Sequence, residues 1–456
     1  MQPDHDAIRS SRYDMGWPIL LLLAIVFAST IALYSCSASF VRTADSSTFY
    51  GQLGQAFLSG HSYIDAKPSP ELLALPNPYD PKARIDARIL WDASLYQGRY
   101  YLYFGPVPAL LAASLQCLTG NTPDDRILAF FFCTAGTYYF LWLLSAIARG
   151  RPGLLQWGVI CTAIAACFGN WIFLMLRRPS FYEVAISGAY CFTALGLLSL
   201  WHGIFYPNRY SGYWKLLGSF CLGLAAGCRI IHACNILILL CLLFNSIKHS
   251  PNVRAYLREA LYICAPWSIC ILGIGLYNFA RFGSPFESGW SYQLSIANQN
   301  AHALHFWMLS NIWPDFYDYF LKPLPLKAFA IRHPFLHVPM GWDKPYGLWT
   351  NTPFSLWSLW LLAHIRSCKT WLGNAYALVI GLILYSFVIT LFMLSYQFSI
   401  NRYLVDFTPW MMLLAGLGYM HALQTSPQRW HRLLIISGAI TALWSAYACI
   451  AAAAAS

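Results

Sequence analysis

Nine charged residues stand out in this sequence as groups that could carry chemistry. They are Asp45, Asp92, Arg177, Arg178, Glu183, Arg229, Arg281, Glu287 and Arg402. A carboxylate can take a proton from a hydroxyl as that oxygen attacks. A guanidinium holds phosphate oxygens through paired, charge-assisted hydrogen bonds. Several cations facing one cleft, with two or three acids, suit a phosphate-bearing substrate. Cations paired with lipid headgroups are the competing account.

Each position has a plainer reading beside the chemical one. Asp45 stands in Asp45-Ser46-Ser47-Thr48 before a helical pattern of Phe49, Leu53, Phe57 and Leu58. It is either an N-cap or a general base at the membrane surface. Asp92 and Arg99 can pair with each other at the surface, and Tyr96-Gln97-Gly98-Arg99 reads as a turn between two strands. Arg177-Arg178 bind an anion or reach lipid headgroups. Glu183 is a helix-start acid, or a second acid contacting an acceptor or a metal. Arg229 closes Gly223-Leu224-Ala225-Ala226-Gly227-Cys228, and charge at that depth is functional by default. Arg281 and Glu287 flank Phe282-Gly283-Ser284-Pro285-Phe286, and Arg402 opens Arg402-Tyr403-Leu404.

The elements that position these residues are membrane spans. Only 10% of the 456 residues are charged while 58% are hydrophobic, against about 25% charged in soluble domains. That excludes a soluble globule, a disordered chain and a disulfide-rich secreted scaffold. The apolar runs are continuous rather than alternating, which excludes an outer-membrane barrel. The fold class is therefore an all-α polytopic membrane protein. About eleven runs suffice to cross the hydrocarbon, near 17–40, 126–148, 154–176, 184–204, 213–229, 231–247, 260–280, 352–365, 372–396, 403–423 and 433–454. The first is too long for a cleaved signal. The short run 105–118, opened by Pro106 and Pro108, is expected along the membrane surface.

With that run left outside the bilayer, every inner link carries at least two positive charges, such as Arg149/Arg151 and Arg366/Lys369. The positive-inside rule then puts the N-terminus in the cytoplasm and the C-terminus outside. The chain reads as one transmembrane domain over 1–456. Its two long outer loops, 41–125 with juxtamembrane helices and 281–351, are too long to be connectors alone. The net charge of +11 is accounted for by those links, and no dense basic stripe points to nucleic acid.

The 14 cysteines lie almost wholly in apolar runs as small packing residues, with no CxxC or Cys/His cluster. P-loop, GxGxxG and HExxH patterns do not occur, so the sequence carries no sign of ATP, NAD or a zincin-type metal.

Taken together, these features resemble the GT-C superfamily of integral-membrane glycosyltransferases, related to protein mannosyltransferases and aminoarabinose transferases. The resemblance rests on a first span followed by a large outer loop opened by Asp45, and on the outer-link acid Glu183. It also rests on Arg281-Phe282-Gly283-Ser284-Pro285-Phe286 and on the late Arg402-Tyr403-Leu404. The chain departs from larger members in having Gly105-Pro106-Val107-Pro108 where they carry His-Pro-Pro-Leu, and a single Asp45 in place of an acidic pair.

The resemblance implies inverting transfer of a sugar from a polyprenyl-phosphate donor to a hydroxyl on a glycan, lipid or protein acceptor, at the outer face of a bacterial inner membrane. It implies Asp45 as base, with Arg177, Arg178, Arg229, Arg281 and Arg402 neutralising the leaving phosphate. Glu183, Asp92 and Glu287 are the further acids. Some relatives use a divalent metal, and Asp45 with Glu183 is too small a set to argue for one. Two readings from other classes stand beside this one: a transporter or flippase for a lipid-linked or anionic solute, and an assembly subunit without activity.

Overall fold

The computed structural model describes residues 48–148, 154–177, 179–205, 210–299, 307–325 and 345–455. The first expected span and Asp45 lie outside them.

Six stretches are helical, long and apolar enough to cross a membrane: Asp125–Ala148, Phe181–Phe205, Ile230–His249, Val253–Phe282, Ile365–Ser395 and Gln428–Ala453. The chain is built as an integral membrane protein. We number the helices used below α1 (Phe49–Leu58), α2 (Val107–Thr119), α3 (Asp125–Ala148), α4 (Leu154–Phe168), α5 (Phe181–Phe205), α6 (Ser211–Cys228), α7 (Ile236–His249), α8 (Val253–Phe282), α9 (Trp357–Ala363), α10 (Tyr376–Ser395), α11 (Leu404–Thr425) and α12 (His431–Ala455).

Burial sorts these helices. The apolar window of α5 is 89% buried whereas that of α8 is 11% buried. An apolar helix left uncovered by protein has hydrocarbon as its solvent, so α8 is peripheral and α5 central. Close approach in the interior depends on small residues. A Cβ on Gly196 of α5 would stand 3.1 Å from the Gly218 carbonyl oxygen of α6, and one on Gly418 of α11 2.1 Å from that of Trp357.

Two expected spans are interrupted. The run near 154–176 is helical to Phe168, and helix resumes only at Leu174–Arg177. There the Asn170 side chain accepts from Ile172 N at 3.0 Å, and Thr408 Oγ1 donates to Asn170 O at 2.9 Å. A side-chain acceptor competes with the helical ladder and ends it. The run near 352–365 is a 3₁₀ turn at Pro353–Leu356 followed by the seven residues of α9. Apolar composition does not reveal whether the backbone continues.

The two long loops meet. Residues Ser94–Tyr96 (β1) and Arg99–Tyr101 (β2) form an antiparallel hairpin. Its turn is Gln97-Gly98 with φ of 49° and 72°, the left-handed pair that matches strand twist. Ile64 bridges Tyr100 on one side, and Gln293 of the second loop bridges Ser94 on the other. Arg84 is buried and donates to the carbonyls of Pro78 (3.3 Å), Tyr79 (3.0 Å) and Ser295. Ile64, Leu72, Ala93, Leu95, Tyr100 and Leu294 form a small apolar core of their own. The loops therefore fold as one cap over one end of the helices.

Under the cap, α1 packs on α2. A Cβ on Gly54 would stand 2.8 Å from Ala113 N and 3.0 Å from Ala109 O. The N-cap of α1 is Thr48, and Tyr50 N donates to Asp125 Oδ1 at 3.2 Å. The acid at this helix start comes from α3, so the N-cap position is not Asp45.

Candidate active site

A cleft of about 1620 Å³ opens between the cap and the helix ends. Its walls differ in character. Ile230, Ile231, Ile274, Phe392 and Met393 line it from the helices, while Trp91, Asp92, Trp290, Gln293 and Gln299 line it from the loops. Arg229, Arg402 and Glu183 also face it.

Arg229 stands where two helices break. α6 ends at Cys228, Arg229 is extended (φ −147°), and a 3₁₀ turn, Ile230–Asn235, leads into α7. The break is braced by Asn235, whose Nδ2 donates to Leu222 O at 2.7 Å and whose Oδ1 accepts from Trp267 Nε1 at 2.8 Å. The guanidinium is 3.0 Å from the buried carboxylate of Asp406 and lies over the Tyr403 ring at 4.8 Å. Behind it, His232 contacts Asp406 Oδ1 at 3.1 Å and the Tyr385 hydroxyl at 2.6 Å. The aromatic rings and the carboxylate keep the cation at the cleft wall.

Arg402 pairs with Glu183 at 3.5 Å and lies 4.1 Å over the Tyr182 ring. Glu183 also accepts from Ser180 N at 3.1 Å and from Ser180 Oγ. Ser180 and Glu183 thus form the start of α5, as a serine and a glutamate three residues apart often do. Glu183 is both a helix-start acid and a cleft acid.

Asp92 sits in the left-handed region (φ 58°). Burial pushes its carboxyl up to about 6, opposed by nearby Arg402, a Gln293 hydrogen bond and Arg84. A carboxylate poised there is suited to exchange a proton near neutral pH. Asp92 and Arg99 do not pair as the turn reading allowed. Arg99 lies over the Tyr63 ring at 4.4 Å instead.

Two expected site residues are elsewhere. Arg281 does not line the cleft. Its guanidinium donates to Leu102 O (2.7 Å), Asn278 Oδ1 (2.8 Å) and Ser288 O (3.3 Å), and sits over Tyr277. A cation engaged this way ties α8 to the cap. Glu287 accepts from Gly289 N at 2.6 Å and shapes its own loop. Arg178, Asp45 and the Arg177 side chain lie outside the described residues. Asp406, His232 and Gln293 were not singled out from the sequence. For Asp406 a signal existed: an acid inside an apolar run.

Among the described residues no group of three or more His, Cys, Asp and Glu could hold a metal ion. Glu183 is engaged with Ser180 and Arg402, so the described acids do not fit a metal ligand set.

The fold is similar to that of the apo oligosaccharyltransferase of Archaeoglobus fulgidus. The match has a TM-score of 0.54 and 12% identity, over 97% of this chain and 56% of that one. The chain thus spans a little over half the length of that protein. ArnT of Cupriavidus metallidurans in its apo state also aligns, over 96% of this chain and 76% of that chain, at 10% identity and a TM-score of 0.48. No protein-family model and no curated protein matches the sequence.

Proposed function

We propose that this chain transfers a sugar, with inversion, from a polyprenyl-phosphate donor to a hydroxyl acceptor at the outer face of a bacterial inner membrane. One observation carries the reading. A single cleft has hydrocarbon-like walls on its helix side and holds both Arg229 and Arg402, with Glu183 and Asp92 beside them. A polyprenyl chain suits the apolar wall, and guanidinium groups suit the phosphate it carries.

In this reading the acceptor oxygen attacks the anomeric carbon from the side opposite the phosphate. The carbon–oxygen bond to phosphate breaks as the new one forms, and polyprenyl phosphate leaves. Arg229 and Arg402 meet the negative charge growing on the leaving group. The acceptor proton passes to a carboxylate. Asp45 is the proposed base, from the resemblance, and Asp92 is the alternative already inside the cleft.

The test is sugar transfer in membranes supplied with polyprenyl-phosphate sugars. We expect Asp45→Asn to lower transfer by about 10²–10⁴-fold at unchanged protein level. Arg402→Gln is expected to raise the donor KM. Near-normal transfer by Asp45→Asn moves the base to Asp92. Absence of transfer by the wild-type chain with every donor tried overturns the reading.

A further inference from the structure

α11 begins beside Arg402 and runs 22 residues to Thr425, about 33 Å of helix. Its far end therefore lies at the leaflet opposite the cleft. There a groove of about 610 Å³ opens between α9 and the start of α12. Trp360 and Trp430 wall it, and Leu433, Ile436 and Ile440 of α12 line its length. The last three are each more than half exposed, so the groove faces hydrocarbon rather than protein. Its rim is basic. The short helix Ile365–Leu372 is fastened to the end of α11 by Trp371 Nε1, which donates to Gln424 Oε1 at 2.5 Å, and by Ser367 Oγ, 3.3 Å from His421 Nε2. That places Arg366 and Lys369 beside the turn that carries Arg429 and Arg432. All four are exposed, and none forms an ion pair among the described residues. From Lys344 onward Asp406 is the only Asp or Glu in the chain, and it lies in the first turn of α11, at the other end. Arg429 lies over the Trp430 ring at 5.8 Å, which brings its charge to the edge of the groove.

We propose that this groove binds an anionic phospholipid, with an acyl chain against α12 and the phosphate at Arg429 and Arg432. An apolar trough walled by indoles suits the chain and the level just below the headgroup, where the ring and the N–H of tryptophan both find partners. α9 has seven residues, too few to cross the bilayer, and a lipid chain completes the packing between it and α12. Cations with no acid beside them favour an anionic headgroup over a zwitterionic one, by about fivefold per Lys or Arg. The site stands apart from the cleft and does not depend on the sugar-transfer reading. The competing account of the four cations is that they hold this end of the helices on one side of the membrane without a bound lipid.

Native mass spectrometry of the detergent-solubilised full chain tests this, with phosphatidylglycerol and phosphatidylcholine of the same acyl chains as probes. We expect phosphatidylglycerol to bind about tenfold more tightly. Arg429→Gln and Arg432→Gln are each expected to weaken phosphatidylglycerol about fivefold and to leave phosphatidylcholine unchanged. Arg254 stands at the start of α8, at the same end of the helices but outside the groove, and Arg254→Gln is expected to change neither. Ser437 lines the groove. Ser437→Phe fills it without altering a charge and is expected to weaken both lipids about tenfold. Equal affinity of the wild-type chain for the two lipids overturns the proposal. So does a loss in Arg254→Gln as large as in Arg429→Gln, which means attraction to the basic surface as a whole. Phosphatidylglycerol binding undiminished by Ser437→Phe puts the lipid elsewhere and also overturns it. If Ser437→Phe does not fold, the comparison of the three arginine variants decides.

Discussion

At the scale of single residues, the arginines show how little residue type decides. Arg281 stands in the last turn of α8 and Arg402 just before α11. Arg281 is bound to two backbone carbonyls and one amide oxygen, whereas Arg402 faces the cleft beside Glu183. Asp92 carries a prediction of its own. Its folded pKa of about 6 exceeds the ordinary 3.8 because burial disfavours the carboxylate. The folded protein then binds more protons than the unfolded chain between those values, so stability falls as pH rises through that window. Asp92→Asn removes the buried charge and keeps a residue that tolerates positive φ. We expect it to unfold at a higher temperature than wild type at pH 7.5, by up to about 2–3 kcal/mol before screening. The two should converge near pH 4. A lower Tm for Asp92→Asn at pH 7.5 shows that Arg402 and Gln293 outweigh burial. If Asp92 is the base, transfer falls as pH drops below about 6.

At the scale of elements, the cleft depends on backbones that touch. A Cβ on Gly105, in the loop entering α2, would stand 2.0 Å from Gly227 O and 2.6 Å from its carbon, two residues before Arg229. Both are backbone atoms and cannot turn aside. Gly105→Ala is therefore expected to cost about 1–3 kcal/mol and to displace Arg229, raising the donor KM. Gly273 of α8 has nothing within 4 Å of its Cβ position, and Gly273→Ala is expected to be neutral or stabilising by up to about 1 kcal/mol. Thermal unfolding in detergent compares the two. Equal behaviour contradicts the close approach of the Gly105 loop to α6. Gly105, the first residue of Gly105-Pro106-Val107-Pro108, thus serves a steric need.

At the scale of the whole molecule, the cap makes the two long loops one unit, through the Ser94–Gln293 bridge and Arg84. Both must then lie on one side of the membrane, which we propose, from the charge of the inner links, is the outer side. In a cysteine-free background, single cysteines at the exposed positions Lys67 and Phe286 are expected to react with an impermeant thiol reagent in intact cells. A cysteine at Gln428, between α11 and α12, is expected to react only after permeabilisation. Reaction at one of the first two without the other breaks the topology.

Composition and run length alone determine that the chain is helical and crosses a membrane, because a backbone in hydrocarbon has to satisfy its own hydrogen bonds. Local chemistry also reads directly: the Gln97-Gly98 turn needs residues that accept positive φ, and Ser180 with Glu183 marks the start of α5. Helix continuity does not read this way. An apolar run such as 154–176 looks the same whether or not Asn170 finds a partner in Thr408 from a helix far along the chain. The site is less legible still. Arg229 meets Asp406 and Glu183 meets Arg402 across long sequence separations, and Asp92 acquires its shifted pKa from burial under a second loop. These properties belong to distances in space, which only the packing of the helices and the closing of the cap decide.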